Sequence, residues 1–167
     1  MSDSSPIHFR WRYLSIPLVL LGLTVILTAI FYSGLPDELA WTFTGAGLPA
    51  KVSGRTSVIA WILGLQLAFT LGALLITRVT AAAFQKYVQS DSGALKPSMI
   101  ISLMGNIPAV PQAVIFFTML DIFSYNSYAI HLLPLWLNAL IIMIAGGIIM
   151  GVFFFRGLLQ LRKVDKE

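Results

Sequence analysis

The sequence predicts an all-α membrane protein, a four-transmembrane-helix bundle with both termini in the cytoplasm and an ordered outer loop between helices 1 and 2. Three observations predict it: the composition, the spacing of the charges, and the side on which lysine and arginine gather. Of the 167 residues, 57% are hydrophobic and only 11% charged. An average soluble domain carries about 25% charged residues. A water-soluble fold cannot hide that much apolar surface, whereas bilayer hydrocarbon accepts it.

A helix needs roughly 20 apolar residues to cross the hydrocarbon, and charges punctuate the chain at about that interval. The first span is Leu14 to Ser33, between Arg12 and Asp37. The second is Ser57 to Thr77, between Arg55 and Arg78. The third is Ser98 to Leu120, between Lys96 and Asp121. The stretch from Asp121 to Arg156 is too long for one crossing. Its polar run Ser124-Tyr125-Asn126-Ser127-Tyr128 is expected to form an outer loop, leaving a fourth span at about Leu132 to Phe155. The whole chain, 1–167, is then a single membrane domain with an outer loop at 34–56, an inner loop at 78–97, and tails at 1–13 and 156–167.

Nine lysines and arginines fall on the side of the termini and inner loop, against only Lys51 and Arg55 on the other. Basic residues stay on the cytoplasmic side, so this bias places both ends inside. A cleavable leader competes for the first span, but its apolar core would be about 7–15 residues with small residues at the cut. This core is longer and ends Phe31-Tyr32-Ser33, so we expect an uncleaved helix. Span two is expected to continue into the cytoplasm through the helix-forming Val79–Lys86 and to end near Asp91-Ser92-Gly93. Pro97 suits the first turn of span three, where a missing N–H costs nothing.

Small residues at four-residue spacing let helices approach closely in lipid. Gly64, Ala68 and Gly72 form such a face on span two, and Gly147 and Gly151, widened by Gly146, form one on span four. These faces serve either packing within the bundle, the simpler reading, or docking of another subunit or second copy. In span three, Pro108 and Pro111 each remove a backbone donor and free a carbonyl, so a kink is expected. Asn106 and Gln112, with Gln66 and Asn138 on neighbouring spans, are the candidate partners for it. Such polar residues hold helices together around a kink more often than they bind a ligand. Within these span boundaries there is no Asp, Glu, Lys or Arg, which weighs against a proton-coupled transporter or ion pump.

No catalytic, cofactor or metal site is expected. The chain has no cysteine, which removes thiolate ligands and nucleophiles. His8 and His131 fall on opposite sides of the membrane and cannot share a metal or lie at haem depth. Asp37, Glu38 and Asp121 share the outer side with His131, but no spacing pairs any of them with it. His131 is expected at the headgroup level. Gly45-Ala46-Gly47 starts like a dinucleotide turn but lacks the third glycine and the preceding strand. The net charge of +4 comes without a basic run, so nucleic acid is excluded as a partner.

The outer loop is the informative segment. Pro36 and Asp37 end span one with turn chemistry, and Trp41 and Phe43 alternate and can anchor at the interface. Gly45, Gly47 and Pro49 shape a compact turn, and Lys51 and Arg55 return positive charge to span two. Leu35, Pro36, Asp37, Phe43, Gly47, Pro49 and Arg55 resemble, at matching intervals, the loop of the domain of unknown function 1648 family. That family comprises small bacterial membrane proteins that include immunity proteins against a sporulation-delaying toxin. The resemblance covers the loop and its flanking spans, the first half of the chain. A family proline is Ala40 here, a histidine is Thr42 and a second aspartate is Ala50, so any chemistry those residues carry is lost and the loop's shape remains. The resemblance implies a bacterial inner-membrane protein, non-enzymatic and of the immunity or sensing type, binding through Leu35, Pro36, Asp37, Trp41, Phe43, Gly47, Pro49 and Arg55. Its expected partners are the lipid bilayer and another membrane protein or a toxin-like peptide, with a homo-oligomer also compatible. An accessory subunit of a larger respiratory or photosynthetic membrane complex is the alternative, and a small-solute transporter is a weaker third.

Overall fold

The computed structural model describes residues 10–87, 97–132 and 134–164. A short 3-10 turn at Trp11–Leu14 leads into α1 (Ser15–Phe31). An antiparallel hairpin follows, β1 (Glu38–Phe43) and β2 (Pro49–Gly54), and then α2 (Arg55–Tyr87), α3 (Pro97–Asn106), α4 (Ala109–Tyr128) and α5 (Leu135–Val164). Among the described residues, three helical stretches are long and apolar enough to cross a bilayer: Trp11–Gly34, Arg55–Gln85 and Ser98–Tyr128. α5 is 30 residues long, and its apolar stretch Trp136–Ile149 is shorter. The helix end expected at Asp91-Ser92-Gly93 lies outside the described residues.

The distribution of side chains is that of a lipid-facing bundle. Thr24, Thr28, Gln66, Thr70, Thr77 and Gln112 are buried, while Ile26, Leu67, Leu71, Leu75, Ile144 and Ile148 point outward. In water this arrangement would be costly on both counts. In hydrocarbon the polar groups gain partners inside and the apolar ones lose nothing outside.

The kink expected in span three is a break. α3 ends at Asn106 and α4 begins at Ala109, with Pro108 at the junction. Asn106 covers the break by donating to the Ser102 and Tyr13 carbonyls (2.7 and 3.1 Å) and accepting from the Ile16 N–H at 3.1 Å. One turn on, Gln112 donates to the Gln66 carbonyl (3.1 Å) and the Thr70 hydroxyl (2.9 Å), and Gln66 donates back to the Gln112 carbonyl at 3.0 Å. These reciprocal bonds tie α2 to α4. Asn138 on α5 is also buried.

α4 departs from expectation at its far end. Ser124-Tyr125-Asn126-Ser127-Tyr128 is helical, not a loop. Tyr125 and Asn126 of this run face the hairpin, and the turn to α5 begins only at Ala129, in the left-handed region at φ 54°. Asp121 therefore lies within the helix, buried, and not beyond its end.

The glycine faces also differ from the simpler expectation. A Cβ added at Gly64, Gly72, Gly147 or Gly151 would meet nothing within 4 Å, and Ala68 is exposed, so both stripes face outward. Gly146 alone packs inward, against Val110. The close approach occurs at Gly105, where a Cβ would collide with the Thr77 hydroxyl and the Tyr13 carbonyl.

Candidate functional site: the clamped hairpin

The main hydrophobic cluster sits at the hairpin's end of the bundle. Leu35 and Leu39 from the loop pack with Val58, Ile59 and Ile62 of α2 and Phe116, Met119, Ile122 and Phe123 of α4. The outer loop thus contributes to the core, which an interfacial anchor alone would not do.

Arg55 closes the hairpin at its base. Its backbone N–H donates to the Asp37 carbonyl (2.7 Å), and its guanidinium donates to the Leu35 and Tyr32 carbonyls (2.7 and 3.1 Å) and to the Asp37 carboxylate at 3.1 Å. The guanidinium also lies over the Tyr32 ring. Only a planar five-donor group serves so many acceptors at once. The Asp37 side chain is 96% exposed, so the salt bridge itself adds little. The carbonyl bonds fix the geometry.

Asn126 holds the middle. Its side-chain oxygen accepts from the Ala40 N–H and its amide nitrogen donates to the Ala40 carbonyl, both at 2.9 Å. The side chain caps the free edge of β1 as a neighbouring strand would.

His131 holds the tip. The turn at 44–47 is closed by the Gly47 N–H donating to the Thr44 carbonyl, and Gly47 sits at φ +77°, which glycine adopts without cost. Its carbonyl lies 3.0 Å from His131 Nε2, while His131 Nδ1 lies 3.2 Å from Asp121 Oδ2. Asp121 Oδ1 also accepts from the Leu132 N–H at 2.8 Å. Tyr125 stacks on the imidazole, and Phe43 meets both rings edge-on at 4.5–4.7 Å. His131 is thus half-buried inside a cluster, and Asp121 is the carboxylate partner that no spacing had assigned to it.

The eight loop residues expected to contact a partner divide in two. Leu35, Phe43, Gly47 and Arg55 face inward and shape the loop. Pro36, Asp37, Trp41 and Pro49 are exposed, and Leu48 and Val52 join them on the outer surface. Trp41 and Phe43 part company because the ladder shifts register between Ala40 and Thr42 and again before Phe43. Such bulges re-aim side chains.

Among the described residues no three His, Cys, Asp or Glu side chains come together as a metal site. Asn126, His131 and Asp121 were not legible as site residues: Asn126 and His131 reach backbone groups of Ala40 and Gly47 that are distant in the chain, and Asp121 meets His131 only through the turn after α4. Comparison with family models, curated proteins and solved structures gives no match.

Proposed function

We propose that the chain is a non-enzymatic protein of the bacterial inner membrane, crossing it four times with both ends in the cytoplasm, that binds a partner through its outer hairpin. The partner is a toxin-like peptide or another membrane protein, as the loop's resemblance to the immunity-protein family suggests. The observation that carries this reading is the triple clamp. Arg55, Asn126 and His131, from two different parts of the bundle, hold a 17-residue hairpin in one shape. Preorganisation of this kind lowers the ordering cost of binding. Side chains that shape the loop lie inside, and Trp41, Leu48 and Val52 are exposed on the surface. Apolar and aromatic anchors of that kind dominate binding hot spots.

The accessory-subunit reading is favoured by a different observation. The faces bearing Gly64, Ala68 and Gly72 and bearing Gly147 and Gly151 are open, as they would be if a neighbouring subunit covered them. A photo-crosslinking residue placed at Leu48 or Val52, and in parallel at Ala68 or Gly147, separates the two. Adducts from the hairpin positions that vanish with Gly47→Val support the proposal. Adducts from the helix-face positions alone replace it with the accessory-subunit reading.

A further inference from the structure

Below the hairpin, a cleft of about 430 Å³ opens between α2 and α4. Its floor is Val58, Ile62, Leu65, Ile115 and Ile122, with Thr118, whose hydroxyl donates to the Val114 carbonyl. Its walls at the hairpin's end are two tryptophans. Trp41 is fixed by its indole N–H donating to the Ser53 hydroxyl at 3.1 Å, and Trp61 is 72% exposed on the outer side of α2. The Ser53 and Ser57 hydroxyls line the same end. The Lys51 ammonium lies 5.8 Å from the centre of the Trp41 ring.

We infer that this cleft binds an anionic phospholipid of the leaflet at the hairpin's end, with one acyl chain along the apolar floor and the phosphate beside Lys51. Four features fit that occupant. The volume lies within the range of small-ligand sites, about 300–1,000 Å³. The exposed flanks of Trp61 and Leu65 put the mouth on the lipid side of the bundle. Tryptophans sit at headgroup depth, where a chain meets its polar head. The charges are complementary: the Arg55 guanidinium is committed to the Asp37 carboxylate and two carbonyls, whereas Lys51 has no carboxylate among the described residues. Glu38, the other carboxylate of the hairpin, pairs across the ladder with Gly54 at the base. A zwitterionic lipid would bring a second cation to Lys51 and gain less. The inference shares Trp41 with the proposed binding surface but needs no protein ligand, and its lipid readout is separate from the crosslinking that tests that surface.

The test uses the full chain in detergent micelles, with phosphatidylglycerol or phosphatidylcholine added and retention read by native mass spectrometry. One lysine near a membrane surface is worth about 1 kcal/mol, roughly fivefold in affinity. The wild type should retain phosphatidylglycerol about fivefold better than phosphatidylcholine, and Lys51→Gln should erase that preference. Ile115→Trp, which fills the floor, should lower retention of both lipids while leaving the monomer folded by circular dichroism. Should Ile115→Trp fail to fold, quenching of Trp41 and Trp61 by brominated phosphatidylglycerol in a chain with Trp11 and Trp136 replaced by Phe, weaker in Lys51→Gln, gives the same reading. Equal retention of the two lipids by the wild type, unchanged by Lys51→Gln, would overturn the inference and leave ordinary boundary lipid in the cleft. So would a cleft that retains no lipid yet crosslinks from Trp61 to a protein partner.

Discussion

His131 meets two oxygens that can only accept, one from Asp121 on α4 and one from the Gly47 backbone. Replacing it with Leu leaves the Gly47 carbonyl without its partner and Asp121 with only the Leu132 N–H. A half-buried charged hydrogen bond is worth on the order of 1–3 kcal/mol, so His131→Leu should lower unfolding stability in detergent by about that amount. An unchanged midpoint would show that the ring does not carry the tip. At the opposite end of the bundle, Gly105→Ala drives a methyl into the Thr77 hydroxyl and the Tyr13 carbonyl. Overpacking of that sort costs about 1–3 kcal/mol. The same assay at Gly64→Ala, where nothing lies within 4 Å, should show almost no loss, and equal effects at the two sites would contradict the packing described. Neither His131 nor Gly105 stood out in the sequence. His131 and Asp121 are ten residues apart, a spacing that no helix face brings together. They meet because Ala129 turns the chain back through the left-handed region.

At the scale of elements, what the sequence made legible was periodic or chemical. Uninterrupted apolar runs located the helices, and Pro108 marked the break between α3 and α4. The turn-formers Gly47 and Pro49 marked the loop, but not that it is a β-hairpin. Strand pairing there depends on cross-strand contacts and on Asn126, which lies far along the chain. The polar run 124–128 misled because polarity signals a loop only where water is the partner. Here the partner is a backbone edge. Asn126→Leu keeps the helix-forming character of α4 yet strips both bonds from Ala40. The Ala40 amide should then exchange with deuterium much faster, while the Gln66 and Gln112 region on the same helices stays protected. Protection at Ala40 unchanged by the substitution would mean that the bulged ladder holds without its cap.

The whole molecule reads as a lipid-facing bundle with a polar seam between its helices and one ordered structure at the end where α1 meets α2 and α4 meets α5. The bond from His131 to Gly47 places both of those connections at the same end. The absence of native cysteine makes orientation simple to test. A single cysteine at Leu48 should react with a membrane-impermeant maleimide in intact cells, and one placed after Arg156 should react only after lysis. The reverse pattern would invert the topology. The central claim is that membrane helices hold the outer hairpin in one shape before any partner arrives. Hydrogen–deuterium exchange of the unliganded chain in lipid nanodiscs tests it most directly. The account predicts slow exchange across 39–43 and 50–53, lost when His131→Leu and Asn126→Leu are combined while α2 and α4 remain protected at mid-depth. Exchange across the hairpin in the wild type at the rate of an unstructured peptide would contradict it.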